Sequence, residues 1–373
     1  MERLIVYPFD NEFSPVLRHM NLLENYKVTA LISPRGWGLG SKDACLVDGG
    51  NPTGLEVSTD FESNLEHCDT VLISDYRKLL DFNKSVFPKI IMAIEHKRNI
   101  ICTLPLGQQQ KKQITDLCQK NGVYFNYYYM STNPLSYINE QIILDIDTPI
   151  ICVAGISERT NKFDVQLVLR EKFLEEGYKV SQVGSKSWCE LLGFHSFPSF
   201  MYSGSILESD KIVMFNQYIK NIEMAEQPDV IILGIPGGTI TFNNYLTNRF
   251  GILAYMVSQA IESDAFIFCT LYEDFKSDCY EELEKSMKYK FGFEADAYSI
   301  SNTKFDWNSY MAQPAMSKKS QFLTINSIDV DSKINSLKDC NMPLYNILNE
   351  KDRAMMSEYI IGKLVEYGTV ASL

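Results

Sequence analysis

The sequence predicts an α/β protein with an N-terminal Rossmann-like parallel-sheet domain, followed by a P-loop-NTPase-like α/β domain. Three observations support this fold class. Short apolar runs alternate with helical patterns, the apolar runs are hydrophobic throughout, and the alternation restarts near residue 150. Continuous apolar strands separated by helices are typical of parallel sheets covered on both faces. We expect domains at residues 1–145 and 146–373.

The first domain has strand and helix patterns in regular alternation. Its predicted strands are RLIVYPF, KVTALIS, DTVLISD, NIICTL and VYFNYY, and its predicted helices are SPVLRHMNLLENY, VFPKIIMAIEHKR and QKKQITDLCQKNG. A dinucleotide site of the Rossmann type needs glycines directly after the first strand, where this chain has YPFDNEFSP. The sequence therefore predicts the fold of this domain without its usual glycine-rich loop.

The segment INEQIILDIDTPI predicts the crossing into the second domain, because polar residues and a proline precede a new strand. The predicted strands that follow are PIICVAG, YKVSQVG, DVIILGIPGG and DAFIFCTLY, and the predicted helices are KFDVQLVLREKFLEEG, SDKIVMFNQYIKNIEMAEQ and FGILAYMVSQAIES. We append the C-terminal part to this domain, as the helix YEELEKSMKYKF, the strands ADAYSIS and QFLTINS, and a closing helix EKDRAMMSEYIIGKLVEYG.

The charge balance limits the classes of partner. Lys and Arg number 35 and Asp and Glu 47, so the net charge of -12 argues against broad contact with a nucleic-acid backbone or with anionic lipid. We find neither a signal-peptide pattern nor a membrane-spanning run, and we expect a cytoplasmic protein. The nine scattered cysteines suit a reduced core, and the four histidines form no zinc-binding pattern, so we expect no metal site.

The stretch CVAGISERTNKF lies where a phosphate-binding loop would lie, between a strand and a helix. Gly155 has the position of the first P-loop glycine, but the literal motif fails at Thr160 and Asn161. Shifting the register by one places Lys162 at the lysine position and Phe163 where a magnesium-binding hydroxyl belongs. The helix start still favours an anion, so this degenerate Walker A loop predicts phosphate binding better than hydrolysis. An ordinary solvated turn is the alternative.

A second loop follows the strand DVIILG. An acid that holds the magnesium-bound water normally ends this strand in P-loop proteins, and here the residue is Gly234. The glycines that follow permit close approach of a ligand, or form a tight turn. The expected cofactor is ATP or GTP, and the changes at both magnesium-linked positions argue against a role for magnesium. The candidate binding residues are Gly155, Ser157, Arg159, Thr160, Asn161, Lys162, Gly237 and Gly238.

Two further loops are expected at the same edge of the sheet, because ligands of open α/β sheets bind outside the carboxyl ends of the strands. They contribute the charged, aromatic or titratable side chains Lys186, Trp188, His195, Glu273 and Asp274. No Ser-His-Asp or Cys-His arrangement is apparent, so the catalytic residues are unknown.

Motif order adds a resemblance. With LIVYPFDNEFSP, then VAGISERTNKFDVQLVLREKFLEEGYKVSQVGS, then PDVIILGIPGG, the whole chain resembles peptide maturation system proteins of clostridia and related bacteria. It is more loosely similar to bacterial two-domain proteins that join a Rossmann-like half to a P-loop half with an intact GK[ST] loop. The first resemblance implies work on Cys-rich ribosomal peptides (RiPP biosynthesis), with a precursor peptide and a radical SAM maturase as partners. This chain has no radical SAM cysteine triplet, so the resemblance implies an accessory protein.

Three functions remain open at this point. The first is binding of a nucleotide or another phosphorylated ligand through the degenerate loop, in service of peptide maturation. The second is a non-catalytic protein that binds a precursor peptide or partner enzyme and keeps the loop as a relic. The third is an ATP-dependent ligase or transferase that uses Glu273 or Asp274 as the missing metal ligand. Whether the chain is an enzyme, and whether it forms a homo-oligomer, is not determined by the sequence.

Overall fold

The computed structural model describes residues 1–129, 141–242, 247–312, 322–337 and 342–370. These residues form two compact units. The first contains residues 1–129 and Ser187–Gly193, and the second contains residues 141–186, 194–312 and 322–370. The predicted domain crossing at INEQIILDIDTPI lies partly outside the described residues.

The first unit is a parallel sheet with helices. Its strands are β1 (Glu2–Tyr7), β2 (Tyr26–Ile32), β3 (Val57–Ser58), β4 (Thr70–Ile73), β5 (Asn99–Cys102) and β6 (Phe125–Tyr127), and its helices are α1 (Ser14–Arg18), α2 (Phe61–Leu65), α3 (Phe87–Glu95) and α4 (Gln108–Asn121). The strand order is β3-β2-β1-β4-β5-β6 and every pair is parallel. This is the order of a Rossmann dinucleotide-binding domain.

The core of the first unit forms because its strands are apolar and its helices have one apolar face. Ile5, Val71 and Ile100 from three adjacent strands pack with Ile90 of α3 and Ile114 of α4, all five fully buried. Helix α4 ends at Gly122, whose φ of +69° closes the helix in the left-handed conformation that glycine adopts without strain.

The second unit is built on a larger parallel sheet. Its strands are β7 (Ile150–Gly155), β8 (Val180–Gly184), β9 (His195–Ser196), β10 (Val230–Gly234), β11 (Ala265–Thr270), β12 (Ala297–Ile300), β13 (Thr303–Phe305), β14 (Phe322–Thr324) and β15 (Leu344–Tyr345). Seven of them form a sheet in the order β15-β12-β11-β7-β10-β8-β9, and β13 pairs with β14 as a separate antiparallel ribbon. Strands β7, β8, β10, β11 and β12 are buried along their whole length.

Helices cover both faces of this sheet. They are α5 (Lys162–Glu175), α6 (Glu208–Glu226), α7 (Ile252–Ala260), α8 (Ser277–Phe291), α9 (Trp307–Ala312), α10 (Ser327–Ser336) and α11 (Glu350–Val370). The core on one face includes residues of α6, α7 and α8, and the core on the other face includes residues of α5 and α11. The predicted fold class is therefore confirmed: the chain is α/β, with an N-terminal Rossmann-like domain and a second α/β domain.

The segment that precedes β7 is hydrogen-bonded to α6. Asn216 of α6 accepts a hydrogen bond from the backbone N–H of Leu144 at 2.8 Å, and Glu223 of α6 accepts one from Asp147 at 2.8 Å. These contacts fix the segment before β7 on α6. A hydrogen-bond partner so far along the chain is not visible in local composition.

Helix α5 is more deeply buried than an amphipathic surface helix. Its residues from Lys162 to Leu169 are all buried, including Asp164 and Gln166, because the sheet covers one side and α11 packs on another. Among the described residues, no helix is long and apolar enough to cross a membrane. The described cysteines are free, and burial raises the pKa of Cys152 and Cys269 to about 12.

Candidate functional site

The candidate site lies at the carboxyl edge of the second sheet. Strand β7 pairs with β10 on one side and with β11 on the other, all parallel. The loops that leave these three strands therefore meet at one edge, at the point where the order of connections changes side. Open α/β sheets bind ligands at such switch points.

Gly155 ends β7 and begins the loop. A β-carbon on Gly155 would overlap the side chain of Thr160, with the Ser157 carbonyl oxygen at 3.0 Å, so only glycine fits. The end of β7 is hydrogen-bonded to strand β11 on one side and to the loop after β10 on the other. The Ile156 N–H donates to the Cys269 carbonyl at 2.9 Å, and the backbone N–H of Thr239 donates to the Gly155 carbonyl at 3.2 Å.

Two residues of the loop have a left-handed backbone conformation. Arg159 and Asn161 have φ of +67° and +56°, and Thr160 between them is outside this left-handed region. The first N–H groups of α5 follow directly and have no intrahelical acceptors. The loop therefore leads straight into a helix N-terminus, a position that favours an anion.

Lys162 is the first residue of α5 and is buried, with 5% of its surface exposed. Its ammonium donates to the carbonyl of Gly237, in the loop after β10, and lies 3.7 Å from the Glu158 carboxylate. Glu158 is solvent-exposed, so this ion pair is weak. A buried ammonium held by one neutral carbonyl is a favourable partner for a phosphate group.

The other predicted loop residues brace the loop. The hydroxyl of Ser157 donates to the Glu158 carbonyl at 2.9 Å, and the Thr160 hydroxyl donates to the Ser157 carbonyl at 3.3 Å. The Asn161 amide donates to the Asn302 side-chain oxygen at 3.0 Å. These hydroxyl and amide groups therefore fix the loop conformation, a role that the motif by itself does not predict.

Arg159 extends away from the loop. Its guanidinium carbon lies 4.5 Å from the centre of the Phe322 ring on β14, a cation–π contact. The sequence predicts that Arg159 assists Lys162 against phosphate oxygens, and in this structure the two side chains have different partners.

The Gly237–Gly238 loop is held close to the first loop. A β-carbon on Gly238 would lie 2.8 Å from the Ile156 carbonyl oxygen and 2.7 Å from the Asn248 side chain. The Asn248 amide donates to the Ile156 carbonyl at 3.1 Å and so joins the two segments. Gly237 has φ of +82°, which lets its carbonyl turn toward Lys162. Gly237 and Gly238 therefore lie beside the loop that follows β7.

A left-handed turn follows Asn248. The φ values of Asn248, Arg249, Phe250 and Gly251 are +48°, +51°, +57° and +67°. Such a conformation costs about 1–2 kcal/mol per non-glycine residue, so the surrounding structure must hold it. The Lys290 ammonium donates to the Phe250 carbonyl at 2.8 Å and to the Thr239 carbonyl at 2.9 Å. Sequence patterns gave no signal for this turn.

The Gln166 side chain fills the space beside Gly234, the residue that ends β10. A β-carbon on Gly234 would overlap the Gln166 carboxamide, with Nε2 at 2.5 Å. That carboxamide accepts from the Ser185 N–H at 3.1 Å and donates to the Lys162 carbonyl at 2.9 Å. A longer side chain at position 234 would therefore displace a buried, hydrogen-bonded amide.

The metal-related alternatives have other partners. Phe163 is buried, and it carries no oxygen for a metal. The Glu273 carboxylate accepts from the Phe305 N–H at 3.1 Å and from the Trp307 indole N–H at 3.3 Å, while Asp274 is exposed. Among the described residues, no three His, Cys, Asp or Glu side chains form a group that could hold a metal ion.

The remaining candidate side chains are distributed over the fold. The Lys186 ammonium lies 5.9 Å from the centre of the Phe163 ring at the start of α5. His195 on β9 contacts the Glu226 carboxylate of α6 at 2.5 Å, and Trp188 is buried with 1% of its surface exposed. Lys186 is therefore near the Gly155–Lys162 loop.

Two cavities lie beside the loop in the second unit. One, of about 600 Å³, is lined by Glu158, Met201, Tyr202, Glu208, Lys211, Pro236, Gly237, Gly238, Asn248, Arg249, Ile252, Leu253 and Met256. The other, of about 690 Å³, is lined by Ile156, Ile240, Thr241, Phe242, Glu273, Phe275, Asp278, Cys279, Glu282, Leu283, Ser286 and Trp307. Both volumes suit a small ligand.

In the first unit a carboxylate occupies the position after β1 where a Rossmann domain binds pyrophosphate. Asp10 is 1% exposed and accepts hydrogen bonds from the N–H groups of Glu12 at 2.9 Å and Arg77 at 2.6 Å. Burial raises the pKa of Asp10 to about 6, although these N–H groups act in the opposite direction. A carboxylate there repels an anion, which agrees with the missing glycine motif.

Comparison with known proteins shows the fold. The sequence matches no family model and no curated protein. The chain is similar to a solved DUF1611 family protein from Anabaena variabilis, with a TM-score of 0.63 and 8% identity over 97% of this chain and 100% of that one. Matches over about a third of the chain include homoserine dehydrogenase from S. aureus, which has a TM-score of 0.26 and 12% identity over 34% of this chain and 32% of that chain. They also include amine dehydrogenase from Mycobacterium smegmatis, with a TM-score of 0.26 and 18% identity over 33% and 38%.

Proposed function

We propose that the second unit binds a nucleotide, ATP or GTP, or another phosphorylated ligand through Gly155–Lys162, and that the chain is an accessory protein of ribosomal peptide maturation. The observation that carries the binding proposal is the position of Lys162, which is buried at the N-terminus of α5, directly after the loop that follows β7. The pathway rests on the sequence resemblance. The expected partners are a precursor peptide and a radical SAM maturase.

The same geometry favours binding over metal-dependent hydrolysis. Phe163 and Gly234 replace the two groups that position magnesium, and Gln166 fills the space beside Gly234. Donors on the protein, principally the backbone N–H groups and Lys162, must therefore offset most of the phosphate charge. We expect nucleotide affinity that changes little when magnesium is removed.

The test is a ligand-dependent stability measurement with ATP, GTP, ADP and AMP, with and without magnesium. A ligand at one hundred times its Kd stabilises the fold by about 2.7 kcal/mol. Lys162→Met should abolish this stabilisation. Lys172→Met is the matched control, because Lys172 lies on the same helix and pairs with Glu176 at 2.8 Å. Absence of stabilisation by every nucleotide at millimolar concentration, or an equal effect in Lys162→Met, would refute the proposal.

A second candidate function is binding of a peptide without nucleotide. The larger cavity favours it, since Phe242 and Trp307 stack there at 5.3 Å between ring centres, with Asp278 and Glu282 in the lining. Aromatic surface with acidic groups suits a peptide that carries basic side chains. Capture of a precursor peptide that is unaffected by Lys162→Met would favour this function over the first.

The ligase or transferase alternative makes a different prediction. It requires Glu273 or Asp274 to bind metal, and the Glu273 carboxylate already accepts two hydrogen bonds within the fold. Release of ADP or AMP that depends on an added peptide or carboxylate would support it.

A further inference from the structure

The smaller cavity contains a buried positive charge that the nucleotide loop does not explain. Lys211 of α6 lines this cavity, and 6% of its side chain is exposed. Its ionic contact is Glu208 at 3.6 Å, and 66% of the Glu208 side chain is exposed. A buried ammonium is costly unless a close counter-charge compensates it, and a solvated carboxylate at this distance does so incompletely.

The position of Lys211 on its helix adds a second argument. Lys211 is the fourth residue of α6, where the positive end of the helix dipole disfavours a cation. The N-cap residue, Leu207, has no side chain that can accept from the first N–H groups. An anion in the cavity would be stabilised by Lys211 and by this helix start together.

The remaining lining defines the rest of the ligand. Met201, Leu253 and Met256 are apolar, and the first and last are almost fully buried. Arg249 is exposed and is fixed at the cavity by the left-handed turn. The two carboxylates in the lining, Glu158 and Glu208, are largely exposed, so the buried charge of the cavity is a single positive one.

We propose that this cavity binds a monocarboxylate with an apolar body, with its carboxylate on Lys211 and its apolar part against the methionines. A doubly charged phosphate fits less well, because exposed carboxylates flank the single buried ammonium. The proposal deepens the proposed function, since it names the ligand class that would lie beside the nucleotide loop and share Gly237 and Gly238 with it. Two sources have this chemistry, an aliphatic acid and the C-terminus of a peptide.

The test compares an acid with its neutral amide on the full-length wild-type protein. The probes are N-acetylleucine against N-acetylleucinamide for a peptide end, and hexanoate against hexanamide for an aliphatic acid. Titration is followed by calorimetry and by NMR of methionine methyl groups. We expect at least one acid to bind about 10- to 100-fold more tightly than its amide, the range for a hydrogen bond to a charged group. We also expect the Met201 and Met256 methyl resonances to shift.

Variants separate this site from the nucleotide loop. Lys211→Met should remove the preference for the acid and keep nucleotide binding. Lys162→Met should keep the preference for the acid and remove nucleotide binding. Arg249→Gln, at an exposed position, should weaken the acid without unfolding the protein. Equal affinity of wild type for acid and amide, unshifted Met201 and Met256 resonances at about 10 mM acid, or an unchanged preference in folded Lys211→Met would each overturn the proposal.

Discussion

Gly234→Ala is the substitution that tests how the end of β10 is built. The new β-carbon would overlap the Gln166 carboxamide, so either the strand or the Gln166 side chain must move. Gln166 is fully buried, and three hydrogen bonds hold it: to the Lys162 carbonyl at 2.9 Å, to the Ser185 hydroxyl at 3.0 Å and from the Ser185 N–H at 3.1 Å. The methyl group therefore acts on a hydrogen-bond network at the base of the Gly155–Lys162 loop.

The cost follows from these contacts. Rotating the carboxamide away leaves buried polar groups unsatisfied, at about 1–3 kcal/mol each, while overpacking without rotation costs about 1–3 kcal/mol. Replacing glycine by alanine also lowers the conformational entropy of the unfolded chain, which stabilises the protein by about 0.5–1 kcal/mol. We expect a net loss of about 2–3 kcal/mol in the free energy of unfolding. By the same reasoning, Gly234→Asp would not create a magnesium site.

The assay is urea unfolding followed by circular dichroism, with hydrogen exchange of the β10 amides to localise the change. Gly204→Ala is the matched control, because Gly204 is exposed and its β-carbon would meet nothing within 4 Å. Gln166→Ala removes the obstacle, so Gly234→Ala in that background should cost less than about 1 kcal/mol. The steric coupling would be refuted if the losses in unfolding free energy of Gly234→Ala and Gln166→Ala simply add in the double variant. It would also be refuted if Gly234→Ala alone leaves the free energy of unfolding unchanged.

Two further predictions concern stability. Gly251→Ala should destabilise the second unit by about 2–4 kcal/mol, because φ at this position is +67° and the new β-carbon would lie 2.6 Å from the Thr239 carbonyl carbon. Thermal unfolding measures the loss of stability, and an unchanged Tm would contradict the prediction. Asp10→Asn tests the buried carboxyl, whose pKa is raised from 3.8 to about 6 by burial. The native state binds this proton more tightly than the unfolded chain, so stability should fall by about 3 kcal/mol as the pH rises from about 4 to about 7. Hydrogen exchange of β1 amides should show this slope in wild type and a smaller one in Asp10→Asn, and parallel slopes would contradict the assignment.

Local pattern was sufficient for the fold class and for the long strands. Strand β7 is recognisable from consecutive residues, an apolar run that ends in a glycine. The run is continuous because both faces of the strand are buried, so that residues on either face are apolar. The same holds for β10 and β11. The short strands β3, β9, β13 and β15 give no signal in the sequence, since two or three residues show no period, whereas β14 lies within the predicted strand QFLTINS.

The sequence by itself determined that a loop with a lysine at a helix start follows the first strand of the second unit, and that neither magnesium-linked position is retained. Tertiary structure alone decided what surrounds that loop. The Lys162 ammonium contacts Gly237, Gln166 fills the space beside Gly234, and Lys211 lines a cavity next to both glycines. These neighbours come from segments far apart along the chain, and the strand order brings them together. That order follows from burial of the whole sheet, and no local sequence pattern records it.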